Sequence, residues 1–196
     1  DVHGIVLEAG HAFCLDTLCD PDRGTQDYVW FDYSGLIEDL SGRSNIELLL
    51  DDGKIRLLVE RLTDTALYCR VVSGGALTNR KGLSVMGGGI SAPMLTDKDR
   101  VDLERACGLD IDMIALSFPA CGDDILKARE LIDAYDSSIG IIAKIERKEA
   151  VDNLDAIMAA SDVVMVARGD LALEVGYPEV PVLQKHIIKQ GRNLAT

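Results

Sequence analysis

The chain lacks any run approaching the roughly 18 apolar residues that a membrane-spanning helix needs, and no membrane partner is expected. It also lacks a basic stretch. With 20 Lys and Arg against 33 Asp and Glu, the formal net charge is -13, which argues against nucleic acid or an anionic membrane surface as a partner. Phosphates stay open as ligands through local cations, backbone N–H groups or a metal. No cleavable signal pattern opens the sequence. Cys14, Cys19, Cys69, Cys107 and Cys121 contain no C-x-x-C pair, and His3, His11 and His186 add no zinc-ligand spacing. Free thiols in a reducing cytosol are therefore expected.

What is present is 196 residues with 47% hydrophobic content, enough for a sizeable core in one or two domains. Up to about Ser73 the pattern is β-like. Runs at Gly4–Leu7, Ala12–Leu15, Asp27–Tyr33, Ile46–Leu50, Ile55–Glu60 and Ala66–Val72 are separated by turn residues. Asp51-Asp52-Gly53 between two such runs reads as a hairpin turn rather than as metal ligands. Short strands with few helices between them suggest a small β-barrel or sandwich.

The clearest composition break follows. Gly74 to Gly82 is glycine-rich with Arg80 and Lys81 near its end, and Met86-Gly87-Gly88-Gly89 comes soon after. The spacing is not that of a P-loop. Gly87–Gly89 reads as a hinge between domains 1–87 and 88–196. Arg80 and Lys81 beside it are either a solvated basic loop or a phosphate clamp.

After Pro93 the periodicity changes. Thr96 with Asp99 resembles a capping box opening a helix to about Cys107. Strand-like Ile111–Phe118, Ile139–Ile145 and Asp162–Ala167 alternate with helices expected over Gly122–Asp136, Glu149–Ala160 and from near Glu179 towards Asn193. This rhythm of βα units belongs to an α/β fold with a parallel sheet, either an eight-stranded barrel or an open doubly wound sheet. Both place chemistry at the carboxyl ends of the strands.

Charge gathers at those ends. The first strand of interest closes in Lys144-Ile145-Glu146, the next in Arg168-Gly169-Asp170. Lys144 and Glu146, two apart, share one side of the strand. Glu146 and Asp170 offer carboxylate oxygens to Mg²⁺, which takes its remaining ligands from water and substrate. Lys144 beside them would stabilise developing negative charge. Gly169 leaves room for a substrate carboxylate or phosphate to reach N–H groups at the start of the next helix. These residue types point to metal-assisted chemistry on an oxyanion, with the reaction type open.

Several runs carry a family resemblance. Ala143-Lys144-Ile145-Glu146, Ala160-Ser161-Asp162 and Met165 to Leu171 resemble the signature of the pyruvate kinases, and Leu49 to Gly53, Arg80-Lys81-Gly82, Leu95 to Asp99 and Ala115 to Phe118 match in the same order. The resemblance covers nearly the whole chain. It implies a partial (β/α)8 TIM barrel with an inserted small β-barrel lid domain. It also implies Lys144 as transition-state stabiliser, Glu146 and Asp170 as Mg²⁺ ligands, the Gly169 backbone at the substrate carboxylate, and Lys81 at the nucleotide phosphates. The implied reaction is phosphoryl transfer from phosphoenolpyruvate to ADP, giving pyruvate and ATP. A cytoplasmic or plastid enzyme, homotetrameric in its parent form and dependent on K⁺, belongs to the same expectation.

Departures are few. Arg147 and Ala150 stand where the family usually has Asn and Gly, and Ala172 stands where it usually has Gly. The family's K⁺ ligands and substrate arginine would precede Asp1, and its Thr-Ala-Thr-Gln-Met strand would follow Thr196. Leu194-Ala195-Thr196 is expected to finish a helix instead. The chain is therefore expected to be an internal fragment, inactive alone. The competing expectations are an Mg²⁺-dependent lyase or aldolase of 2-oxo acids on a similar barrel, and a non-catalytic module keeping the fold.

Overall fold

A computed structural model describes residues 4–194; His3 and Ala195-Thr196, singled out above, lie outside them. The chain divides into two compact units, Asp1–Ala92 and Pro93–Thr196.

The first unit contains β1 (Ile5–Leu7), β2 (Ala12–Asp16), β3 (Tyr28–Trp30), α1 (Gly35–Leu40), β4 (Glu47–Leu50), β5 (Ile55–Leu62), β6 (Ala66–Ser73), β7 (Gly75–Leu77) and β8 (Leu83–Val85). A six-stranded sheet runs in the order β3-β2-β6-β5-β4-β8, and β1 pairs with β7 in a two-stranded sheet. All of these pairs are antiparallel except β2 with β3. Alternation along the strands sends Phe13, Leu15, Leu48, Leu57, Leu67 and Val71 into one apolar core, which Leu36 and Leu40 of α1 close. The hairpin expected at Asp51-Asp52-Gly53 joins β4 to β5. All three residues have positive φ, at 50°, 57° and 79°, a conformation that Asp tolerates and Gly favours.

The glycine-rich stretch is more ordered than its composition suggested. β7 and β8 pass through it because their partners, β1 and β4, lie far away in sequence, and pairing of that kind overrides weak local propensity. The Gly87–Gly89 segment is tied down as well. Arg43 Nη1 donates to the Gly88 carbonyl at 2.9 Å, and Asp39 accepts from both N and Oγ of Ser91.

The second unit is a βα series: α2 (Asp97–Cys107), β9 (Met113–Leu116), α3 (Gly122–Ala134), β10 (Gly140–Ile145), α4 (Lys148–Asp152), α5 (Leu154–Ala160), β11 (Val163–Val166), α6 (Arg168–Val175) and α7 (Val180–Leu194). The Thr96/Asp99 capping box opens α2 as expected. The helix expected over Glu149–Ala160 is split at Asn153, whose side chain donates to the carbonyls of Glu149 and Ala120 and so competes with regular helix bonding. The strands form one parallel sheet, β11-β10-β9. Ile114, Leu116, Ile141, Ala143, Ile145, Val164 and Val166 face a core built with α2, α3, α5 and α7. The opposite face carries Met113, Ala115, Ile142, Val163 and Met165, and all of these but Ile142 are exposed. The strands are thus largely apolar on both faces, while the helical core packs against one of them.

Candidate active site

The register explains how the charges meet. Ala143 lies opposite Leu116, so the next residues, Lys144 and Ser117, are neighbours on the face away from the helices. Lys144 Nζ donates to Ser117 Oγ at 2.8 Å. The same ammonium sits 2.5 Å from Oε1 of Glu146, the residue just beyond β10 on the side of the strand that period two requires.

Glu146 is 1% exposed. Its Oε2 accepts the Phe118 N–H at 2.8 Å. Phe118 has φ +60°, a rare conformation for a bulky residue that stores strain at this turn and aims its N–H at the carboxylate. Oε1 is buried with no aligned hydrogen bond; its contact with Lys144 is one of charge at short range. A buried carboxylate oxygen with acceptor capacity to spare suits a cation.

Asp170 and Gly169 lie in the first turn of α6. Val166 pairs with Ile145, and Ala167 N–H continues the ladder to the Ile145 carbonyl at 3.2 Å. α6 therefore begins at the carboxyl edge where Glu146 sits. Among the described residues the Asp170 carboxylate makes no hydrogen bond or ion pair. A Cβ built on Gly169 would meet nothing within 4 Å, so the open space over the helix start is not imposed by packing. A cavity of about 500 Å³ lined by Arg168, Gly169, Ala172, Tyr177 and Lys185, among others, adjoins it.

No group of three or more His, Cys, Asp and Glu side chains able to hold a metal is found among the described residues. Two carboxylates at one edge, one with a buried oxygen in contact with the Lys144 ammonium alone, still fit Mg²⁺, which is commonly held by one or two carboxylates with water and substrate oxygens completing the shell.

Glu174 lies one turn after Asp170 and is 8% exposed. Its Oε2 accepts the Lys148 N–H at 2.8 Å. Burial pushes its carboxyl above the ordinary range, with the Lys148 N–H working against that.

Lys81 belongs to the other unit. Its Nζ lies 2.7 Å from Oδ1 of Asp51, whose Oδ2 holds Lys54 at 2.9 Å. Asp51 N–H also donates to the Gly82 carbonyl at 3.3 Å. The hairpin thus grips the Lys81 loop by backbone and side chain together. Lys81 and Lys54 hold the Asp51 carboxyl below its usual range.

Sequence reasoning singled out Lys144, Glu146, Gly169 and Asp170; the structure puts Lys144 against Glu146 and starts the helix of Gly169 and Asp170 at the same sheet edge. That reasoning missed the Phe118 N–H, Glu174 and the Asp51–Lys81 pair.

Parallel strands with intervening helices, and a lysine–carboxylate cluster at their carboxyl edge, define a segment of a βα-repeat protein. The family model described as pyruvate kinase, barrel domain, matches residues 2–196, and the chain belongs to the pyruvate kinase family. It is 43% identical over 195 residues to the pyruvate kinase of Buchnera aphidicola subsp. Schizaphis graminum, covering 98% of this chain and 40% of that protein. To pyruvate kinase II of Salmonella typhimurium it is 42% identical over 193 residues, covering 97% and 40%. A crystal structure of a pyruvate kinase from Cryptosporidium parvum superposes with a TM-score of 0.85 at 34% identity, over 95% of this chain and 39% of that one. The chain thus spans about 40% of the length of these curated relatives.

Proposed function

We propose that this chain carries the metal-and-lysine half of a pyruvate kinase active site. The observation that carries the proposal is the cluster at the sheet edge: Lys144 bonded to Ser117 and 2.5 Å from a buried Glu146 whose Oε1 keeps acceptor capacity. Glu146 and Asp170 would hold Mg²⁺, which when bound supplies positive charge to the oxygens of the phosphoryl group being transferred. Lys144 offsets charge on the same group and on the enolate oxygen left behind, from a fixed position on a strand rather than a mobile loop. The open backbone at Gly169 receives the carboxylate of phosphoenolpyruvate or pyruvate at a helix N-terminus. Lys81 meets the phosphates of ADP from the β-rich unit, which acts as the lid.

The wider reading has the sheet continuing into a (β/α)8 barrel. The apolar face opposite the helices, with Met113, Val163 and Met165 exposed, supports this, since barrel interiors are filled by such side chains. Homotetrameric assembly, K⁺ dependence and a cytoplasmic location, or a plastid one, come with the family; no residue of this chain is assigned to K⁺. The Asp51–Lys81 arrangement favours a kinase over an Mg²⁺-dependent lyase, which has no use for a nucleotide lid.

The test is phosphoenolpyruvate-dependent ATP formation. The purified chain alone is expected to form none. Robust turnover by it would overturn the proposal that the site is completed elsewhere.

A further inference from the structure

α4 begins at Lys148 with Arg147 as its N-cap, and Arg147 makes no side-chain capping bond. An Arg has no acceptor to offer the orphan N–H groups of a first turn. Glu174 supplies one from another helix, taking the Lys148 N–H at 2.8 Å inside a site where the carboxylate is 8% exposed.

Glu174 also stands four residues after Asp170 on α6, so the two project from one face of that helix. Lys148 is two residues after Glu146. A part-buried hydrogen bond therefore joins the second turn of the helix that carries Asp170 to the segment that carries Glu146, in addition to the Ala167 N–H bond to the Ile145 carbonyl at the start of that helix. The Glu146 carboxylate itself is held by the Phe118 N–H on Oε2 at 2.8 Å and by the Lys144 ammonium at Oε1. These contacts fix the Glu146 carboxylate, and the Glu174 bond adds a tie beyond the first turn of the helix that carries Asp170.

We infer that Glu174 is a positioning residue that sets the spacing of the Glu146–Asp170 carboxylate pair. The inference rests on the proposed Mg²⁺ site. Outer-shell partners of metal ligands commonly contribute 10- to 100-fold in metal affinity. This one acts through backbone and helix rather than by touching a ligand.

The experiment is Mn²⁺ binding followed by electron paramagnetic resonance on the protein carrying this chain, with amide exchange at Lys148 and thermal unfolding measured alongside. Glu174→Ala should weaken Mn²⁺ by about 10- to 100-fold and speed Lys148 exchange. Glu174→Gln keeps an acceptor oxygen and should stay within about threefold of wild type by the same scale. Glu146→Gln marks the site itself. If it leaves Mn²⁺ affinity unchanged, the metal-site reading fails. If it abolishes binding while Glu174→Ala binds like wild type, the positioning role alone is overturned. Equal weakening by Ala and Gln would also overturn it, because charge rather than the hydrogen bond would then matter. Should Glu174→Ala not fold, Glu174→Asp, a methylene shorter, decides. Severalfold weaker Mn²⁺ binding supports the inference and wild-type binding refutes it.

Discussion

Each unit holds lysine against a buried carboxylate, Lys144 on Glu146 in one and Lys81 with Lys54 on Asp51 in the other, and the Lys144–Glu146 and Lys81–Asp51 pairs are built differently. Lys144 and Glu146 come from a single strand, two residues apart, with Ser117 added from the next strand. Lys81 and Asp51 come from a loop and a hairpin turn. The first pair inherits its geometry from a sheet whose register cannot slip without turning every side chain to the other face. The second depends on two turns gripping each other. On the roles proposed above, the group that would match charge developing in a transition state sits on the rigid scaffold, and the one that would follow a nucleotide sits on the looser one.

Variants at the sheet edge should therefore show in the chemical step, and variants in the β-rich unit in nucleotide affinity. The largest effect is expected from Glu146→Gln or Asp170→Asn in the protein carrying this chain. Loss of a metal ligand should lower kcat on the order of 10³-fold and shift the Mg²⁺ titration upwards; unchanged Mg²⁺ dependence would break the comparison at its first term. Next comes Lys81→Ala. Removing one charge-assisted contact should raise KM for ADP about tenfold with kcat far less affected, and a loss confined to kcat would place Lys81 with Lys144.

Asp51→Asn should do less, a severalfold rise in KM for ADP, since it misplaces Lys81 without removing it. It should also change the acid limb of stability. Two lysines depress the folded-state pKa of Asp51. Its contribution is thus fully present above the unfolded value of about 3.9 and is lost as pH falls through the lower folded value. Acid unfolding of the β-rich unit, followed by circular dichroism below pH 4, should lose that component in Asp51→Asn. The smallest effect is a rate. Burial pushes the Cys69 thiol up to about 12, so thiol reagents at neutral pH should modify it far more slowly than the part-exposed Cys19 until urea opens the β-rich core. Equal rates in native protein would show that this core breathes.

The comparison also explains what was legible in the sequence. Lys144 and Glu146 could be read because the period of two is local, and α2, α3 and the three strands because their apolar spacing is. Asp51 looked like a turn residue, which it is. Its second role needs Lys81 brought to it from beyond three intervening strands of the chain, β5, β6 and β7. The Phe118 N–H and the Glu174 strut escaped because each bond runs between a backbone group and a side chain some two dozen or more residues away. No residue pattern encodes a pairing of that kind. Gly87–Gly89 shows the same limit from the other side. Its glycines suggested freedom, while Arg43 and Asp39, from the β-rich unit, pin the surrounding backbone.

The most direct measurement is kcat for phosphoryl transfer from phosphoenolpyruvate to ADP in Lys144→Ala, made in the protein carrying this chain and compared with wild type at saturating Mg²⁺. A strand-held ammonium stabilising transition-state charge predicts a fall of about 10²- to 10³-fold with substrate KM values little changed. A kcat equal to wild type would contradict the account.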